Sequence, residues 1–178
     1  MTLDALTPPV PITASHDLSQ FSSGVHSLDE WLQRRALRNE RNAASRTYVV
    51  CAGTRVVGYY CLAAGAVALS EAPKKLTRKL PDPIPVMVLG RLAIDQAWQN
   101  RGIGKALLLD AVRRSAQAAR VAGISALLVH ALSEEAKRFY ISQGFLQSPV
   151  QPMTLYSRLA DIQVLWNRDA FANKDVEA

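Results

Sequence analysis

A chain of 178 residues with 49% apolar composition suits a single domain over 1–178, its core at about 9–160, with no need of disulfide or metal staples. Residues 1–12 hold no basic leader segment, and the uncharged stretch Val56–Ser70 is only 15 residues long, short of the roughly 20 that a membrane span requires. No membrane association and a cytoplasmic location are therefore expected. The net charge of +6 is uneven: Arg34–Lys105 holds 13 Lys or Arg against four acids, which points to a polyanion, either a nucleic acid or a phosphate-bearing cofactor.

The first eight residues, and those from Arg168 onward, read as frayed ends. Ser27-Leu28-Asp29-Glu30 has the form of a capping box, opening a helix over about Leu28–Arg41. Leu28, Trp31 and Leu32 share one face of it, and Arg34, Arg38 and Arg41 form a basic stripe on another. Asn42-Ala43-Ala44-Ser45 breaks the helix. Arg46–Ala52 and Arg55 to about Ala68 then read as a β-hairpin turning at Gly53-Thr54. In that register Cys51 lies opposite position 56 and Cys61 opposite about 46, too far apart to bridge. Two core thiols are expected, and with three scattered histidines and no CxxC or HxxxH pair, no metal site.

Glu71–Pro85 is a Pro- and Lys-rich loop with a helical turn at Lys74–Leu80. Val86–Ile94 reads as a strand and Gly104 to about Ala122 as a helix, with Ile103, Leu107, Ala111 and Ser115 inward and Gly123 ending it. Ile124–Ala131 is a further strand. Ser133 caps a helix running to Gln143, and two last strands begin at Phe145 and Thr154. The order makes a mixed α/β (α+β) protein, not a strict βαβ wind.

Gln99-Asn100-Arg101-Gly102-Ile103-Gly104-Lys105 stands between strand and helix. Its glycines let backbone approach a ligand, and the opening N–H groups of the helix face outward with a positive dipole end, the makings of a diphosphate cradle. A P-loop needs four residues between its first glycine and Gly-Lys, then Ser or Thr; here the run is Gly-Ile-Gly-Lys-Ala. A dinucleotide fingerprint needs Gly or Ala where Leu107 stands and an acidic residue about 20 positions on, where Val121-Ala122-Gly123 lies.

The turn does match the Gln/Arg-x-x-Gly-x-Gly/Ala signature of the GNAT acetyltransferases, with a strand upstream and Phe139-Tyr140 and Gly144-Phe145 downstream. Phe21-x-x-Gly24, Leu28-Asp29-x-Trp31-Leu32, Ala44-Ser45-Arg46-Thr47, Pro83-Ile84-Pro85-Val86, Leu89-Gly90-Arg91-Leu92-Ala93, Val129-His130-Ala131, Ser148-Pro149 and Pro152-x-Thr154-Leu155 resemble one branch of that family, the toxins of type II toxin–antitoxin pairs. The resemblance spans about Phe21–Leu159. It implies a GNAT fold, a central mixed and mostly antiparallel sheet flanked by helices. It implies acetyl-CoA as co-substrate, with Leu92, Ala93 and Ile94 pairing with the pantetheine arm and Gln99, Arg101, Gly102, Ile103, Gly104 and Lys105 at the pyrophosphate. Ser133 stands where the family often has Asn, and can still donate to the pantetheine. Tyr140 is implied as the residue that protonates the departing thiolate, facing outward while Phe139 packs inward.

The branch acetylates the α-amine of aminoacyl-tRNA and blocks translation. It also implies a homodimer and a ribbon–helix–helix antitoxin, with operator DNA bound only through the antitoxin complex. Candidate tRNA contacts are Arg34, Arg38, Arg41 and Arg46, with Lys74, Lys75, Arg78 and Lys79 on the loop. No carboxylate or histidine stands out as a general base: Glu134 and Glu135 read as cap charges, and His130 closes a strand. An α-amine with pKa of about 7.7–8.0, lowered further by an ester, is largely neutral near pH 7, so positioning can replace a base. The rival readings are a GNAT enzyme acting on a small amine or a protein N-terminus, and a coenzyme A-binding module with little turnover.

Overall fold

The computed structural model describes residues 5–161. Its elements, in chain order, are β1 (Val10–Pro11), α1 (His26–Arg34), α2 (Ala36–Arg41), β2 (Arg46–Ala52), β3 (Arg55–Val67), α3 (Lys74–Thr77), β4 (Ile84–Ile94), α4 (Ile103–Ala118), β5 (Ala126–His130), α5 (Glu134–Ser142), β6 (Leu146–Gln147) and β7 (Thr154–Arg158). The seven strands follow the order β1-β2-β3-β4-β5-β7-β6. The β1–β2, β2–β3, β5–β7 and β6–β7 pairs are antiparallel. This is the mixed, mostly antiparallel sheet with helices expected of the sequence.

The described residues form two compact units interleaved along the chain: one runs to Ala63 and resumes over Leu89–Ala111, the other takes Ala64–Val88 and continues from Val112. In the first unit, α1 and α2 lay Leu28, Trp31, Leu32 and Ala36 against Val49, Cys51, Val56, Tyr59, Cys61 and Ala93. Aromatic stacking reinforces that wall. Trp31 lies parallel to Tyr59 at 5.9 Å, Phe21 meets Tyr59 edge-on at 5.6 Å, and the Arg91 guanidinium sits 4.6 Å from the Trp31 ring centre. The Tyr59 hydroxyl, pushed far above the usual phenol range chiefly by burial, donates to the Leu28 carbonyl at 2.7 Å. Six residues of the branch motifs thus build this wall: Phe21, Leu28, Trp31, Leu32 and Ala93 in the core, with Arg91 over the Trp31 ring. In the second unit, Ala72 and Leu76 cover Ile84, Val86, Ala126, Leu128 and Tyr156.

Several sequence expectations are corrected. Ser27 caps nothing: α1 begins at His26 with Val25 at its N-cap and no side-chain cap bond. Instead Asp29 reaches back, accepting from the Ser23 amide at 2.9 Å and the Ser23 hydroxyl at 2.6 Å. A carboxylate in the first turn thereby meets loop donors that no three-residue spacing announces. The expected single helix is two, parted at Arg35, where φ opens to −118° and departs from regular helical backbone. Arg34, Arg38 and Arg41 are therefore divided between two helices, all exposed. Helix α4 ends at Ala118, not near Ala122, and Gly123 is no left-handed cap.

Chain before residue 9 is also less free than expected: Thr7 exchanges hydrogen bonds with Cys51, its amide donating to the Cys51 carbonyl at 2.9 Å and its hydroxyl accepting from the Cys51 amide at 3.0 Å. The expectation for residues 1–4 and 168–178 lies outside the described residues. In the hairpin Cys51 pairs with Val56 as expected, while a bulge between Val50 and Cys51 sets Cys61 against Thr47. Both thiols are free and buried. The Tyr48 and Tyr60 rings stack across the same strand pair at 5.1 Å.

Candidate active site

The turn after β4 is braced from within its own unit. Asp95, 3% exposed, accepts from the Ala97 amide at 3.0 Å and the Ser22 amide at 3.1 Å, with Arg55 at 3.4 Å. The Gln99 side-chain amide donates to the carbonyls of Ser23 at 2.8 Å and Ile94 at 2.9 Å. Gln99 therefore holds the turn in place, committing its N–H donors to protein carbonyls. The sequence pattern named Gln99 but missed Asp95 and the Ser22–Ser23 loop; the one local signal was an Asp two residues before Ala97, the spacing of a side chain closing its own turn.

Asn100 (φ +61°) and Gly102 (φ +80°) then take left-handed backbone, which a β-carbon penalises at Gly102. A β-carbon added at Gly102 or Gly104 would meet no protein atom within 4 Å. The backbone there faces open space at the start of the 16-residue α4, whose first N–H groups have no intrahelical acceptors. Exposed Arg101 and Lys105 flank it, with the Arg101 guanidinium held 4.7 Å from the Trp98 ring centre. Stacking on a ring face leaves the guanidinium edge donors free for an anion. Open glycine backbone, a helix N-terminus and two flanking cations fit a diphosphate. Leu92, Ala93 and Ile94 precede the turn on β4.

Tyr140 and Ser133 belong to α5, in the second unit. Ser133 is the N-cap, its hydroxyl oxygen accepting from the Ala136 amide at 3.0 Å, so its own O–H remains available to donate. The orientation expected for Phe139-Tyr140 is corrected. Tyr140 is 7% exposed and Phe139 half-buried, because Tyr140 packs between Phe139 at 5.2 Å and Phe145 at 5.6 Å. Its hydroxyl has no hydrogen-bond partner among the described residues. Burial pushes this phenol well above its ordinary value, so it stays protonated and acts as a donor.

The basic candidates fall into separate groups. In the first unit Arg34 pairs with Glu30 at 3.2 Å and Arg46 with Glu40 at 3.2 Å, while Arg38 and Arg41 are exposed. In the second unit Lys74, Lys75, Arg78 and Lys79 are all exposed on and after α3. His130 closes β5 with its Nδ1 3.0 Å from the Thr154 hydroxyl. Among the described residues no group of three His, Cys, Asp or Glu side chains could hold a metal, and no helix is long and apolar enough to cross a membrane.

A family model described as an acetyltransferase (GNAT) domain matches residues 43–147, and the chain belongs to the GNAT acetyltransferase family. Among its relatives, a tRNA-acetylating toxin of Mycobacterium tuberculosis is 46% identical over 88% of this chain and 95% of that protein. The structure of AtaT complexed with acetyl-methionyl-tRNAfMet superposes with a TM-score of 0.84 at 32% identity, covering 91% of this chain and 99% of that one. A mutant AtaT toxin bound to the C-terminus of the antitoxin AtaR and acetyl-CoA superposes at 0.78 with 31% identity, over 90% and 98% of the two chains.

Proposed function

We infer that this chain is an acetyl-CoA-dependent N-acetyltransferase toxin that acetylates the α-amine of aminoacyl-tRNA, blocking translation in the cytoplasm until an antitoxin binds it. The observation that carries the reading is the left-handed, open Gly102 turn at the N-terminus of α4, in a chain similar along most of its length to a tRNA-acetylating toxin. The site residues follow from it. The open backbone of the turn with Ile103, Arg101 and Lys105 holds the pyrophosphate, and Leu92–Ile94 lines the pantetheine. Ser133 donates a hydrogen bond to the same arm. The Tyr140 hydroxyl donates a hydrogen bond that stabilises the leaving thiolate. Because burial makes the phenol a still weaker acid, stabilisation by hydrogen bonding outweighs full proton transfer. Arg38, Arg41, Lys74, Lys75, Arg78 and Lys79, which have no ion-pair partner among the described residues, are the cations for tRNA phosphates, with Arg34 and Arg46 engaged to acids.

The two compact units are read as one domain, since their boundaries cut through β3, β4 and α4 and not through linkers. A homodimer, a ribbon–helix–helix antitoxin and operator contact through that antitoxin are the assembly this branch of the family implies. The test is transfer of labelled acetyl from acetyl-CoA to charged bulk tRNA. Label is expected in the aminoacyl fraction, falling steeply between about 50 and 200 mM salt as phosphate contacts are screened. Label absent from that fraction, or entering uncharged amines alone, sinks the reading.

A further inference from the structure

The second unit contains a cavity of about 450 Å³, within the size range of small-molecule sites. Val67, Val86, Val88 and Leu128 give it apolar walls; Glu71, His130, Gln151, Thr154 and Tyr156 supply its polar groups. The polar groups are tied together. Ser148, 1% exposed, donates its hydroxyl to the Glu71 carbonyl and accepts from the Gln151 amide at 3.1 Å. The Gln151 carbonyl accepts from the Thr154 amide at 2.9 Å, and the Thr154 hydroxyl meets His130 Nδ1 at 3.0 Å. So the Ser148–Thr154 segment, singled out in the sequence without a role, fixes four of the polar lining residues at once.

Its charge selects the ligand. The lining carries one carboxylate, Glu71, and no Lys or Arg, in a chain of net charge +6. Glu71 has no ion-pair partner among the described residues. Its negative charge is felt inside the cavity, where it adds to burial in raising the Tyr156 phenol. A phosphate would be repelled here, whereas an amine finds an acceptor. Room is kept by Gly65: a β-carbon there would come within 3.0 Å of Val88 Cγ2 and 3.6 Å of Val86 Cγ2, both in the walls.

We propose that this cavity is the acceptor pocket, taking an amino-acid ester with its α-amine on the Glu71 carboxylate and its side chain on the valine and leucine walls. The assignment rests on reading the chain as an acetyltransferase of aminoacyl ends, and adds the group that reads the amine. Glu71 accepts N–H hydrogen bonds from the amine in either protonation state and, in the neutral form that reacts, so orients its lone pair; His130, with Nδ1 engaged by Thr154, offers Nε2 to the ester.

The test uses the full chain and glycine and leucine methyl esters as probes, titrated by NMR, with N-acetylglycine methyl ester as the uncharged control. Glycine methyl ester is expected to bind and the acetylated control to fail. Glu71→Gln is expected to weaken binding about tenfold or more while leaving the KM for acetyl-CoA unchanged. Gly65→Val should exclude the leucine ester more than the glycine ester. Esters that bind wild type and both variants alike, or do not bind at all, overturn the proposal. If the esters behave as expected but aminoacyl-tRNA is not acetylated, the pocket stands and the RNA substrate falls. If both variants acetylate aminoacyl-tRNA with unchanged KM, the pocket falls and the RNA substrate stands.

Discussion

Tyr140 has a ring buried between Phe139 and Phe145 and a hydroxyl with no partner among the described residues that is not one of the buried orphaned polar atoms. Its hydroxyl is therefore open to a partner from outside the fold, as the role proposed for it requires. Removing the hydroxyl in Tyr140→Phe breaks no hydrogen bond among the described residues. Turnover should fall on the order of 10²-fold, with the KM for acetyl-CoA and the urea midpoint little changed; a variant with wild-type kcat removes the role given to Tyr140. Its identity could be read in the sequence, but its burial could not. A helical pair Phe139-Tyr140 shows that one ring goes deeper than the other, and only the position of Phe145 decides which.

At the scale of the element, the turn before α4 carries two glycines for different reasons. Gly102 needs positive φ, whereas Gly104 lies in the first turn of α4 with no protein atom near its missing β-carbon. Gly102→Ala should therefore cost about 1–2 kcal/mol of stability, seen in denaturant unfolding, together with weaker acetyl-CoA binding. Gly104→Ala should be neutral or stabilising by up to about 1 kcal/mol, with the KM for acetyl-CoA unchanged, since Gly104 stands at the signature position that admits either Gly or Ala. If Gly102→Ala binds acetyl-CoA normally, the cradle lies elsewhere. The spacing of this turn is local information, so the sequence displays it in full. The braces that hold it, Asp95 to Ser22 and Gln99 to Ser23, join residues more than 70 positions apart and leave no periodic trace.

Over the whole molecule, burial raises the phenols of Tyr59, Tyr140 and Tyr156 above their ordinary 10.0 and the thiols of Cys51 and Cys61 above 9.0. The Arg91 charge opposes burial at Tyr59 and Cys61 without reversing it. As pH rises past about 9 and then 10, the unfolded chain releases protons that the folded one retains, so stability falls with pH. Unfolding midpoints taken from pH 7 to 11 should be flat at first and decline from about pH 9 upward; a rise above pH 9 contradicts the burial of these groups.

What the sequence determined by itself was whatever depends on neighbours along the chain: the strand and helix periodicities, the hairpin, the Ser133 cap, the glycine turn before α4 and through its signature the family. Tertiary structure decided what depends on contacts remote in sequence. It divided the first helix at Arg35, left α1 without a side-chain cap and tied Asp29 to Ser23 instead, turned Tyr140 inward, and drew Glu71, His130, Gln151 and Thr154 around one cavity. The physical reason is the same each time. Backbone conformation and spacing are local, whereas burial and hydrogen-bond partners are settled by which surfaces the folded chain brings together.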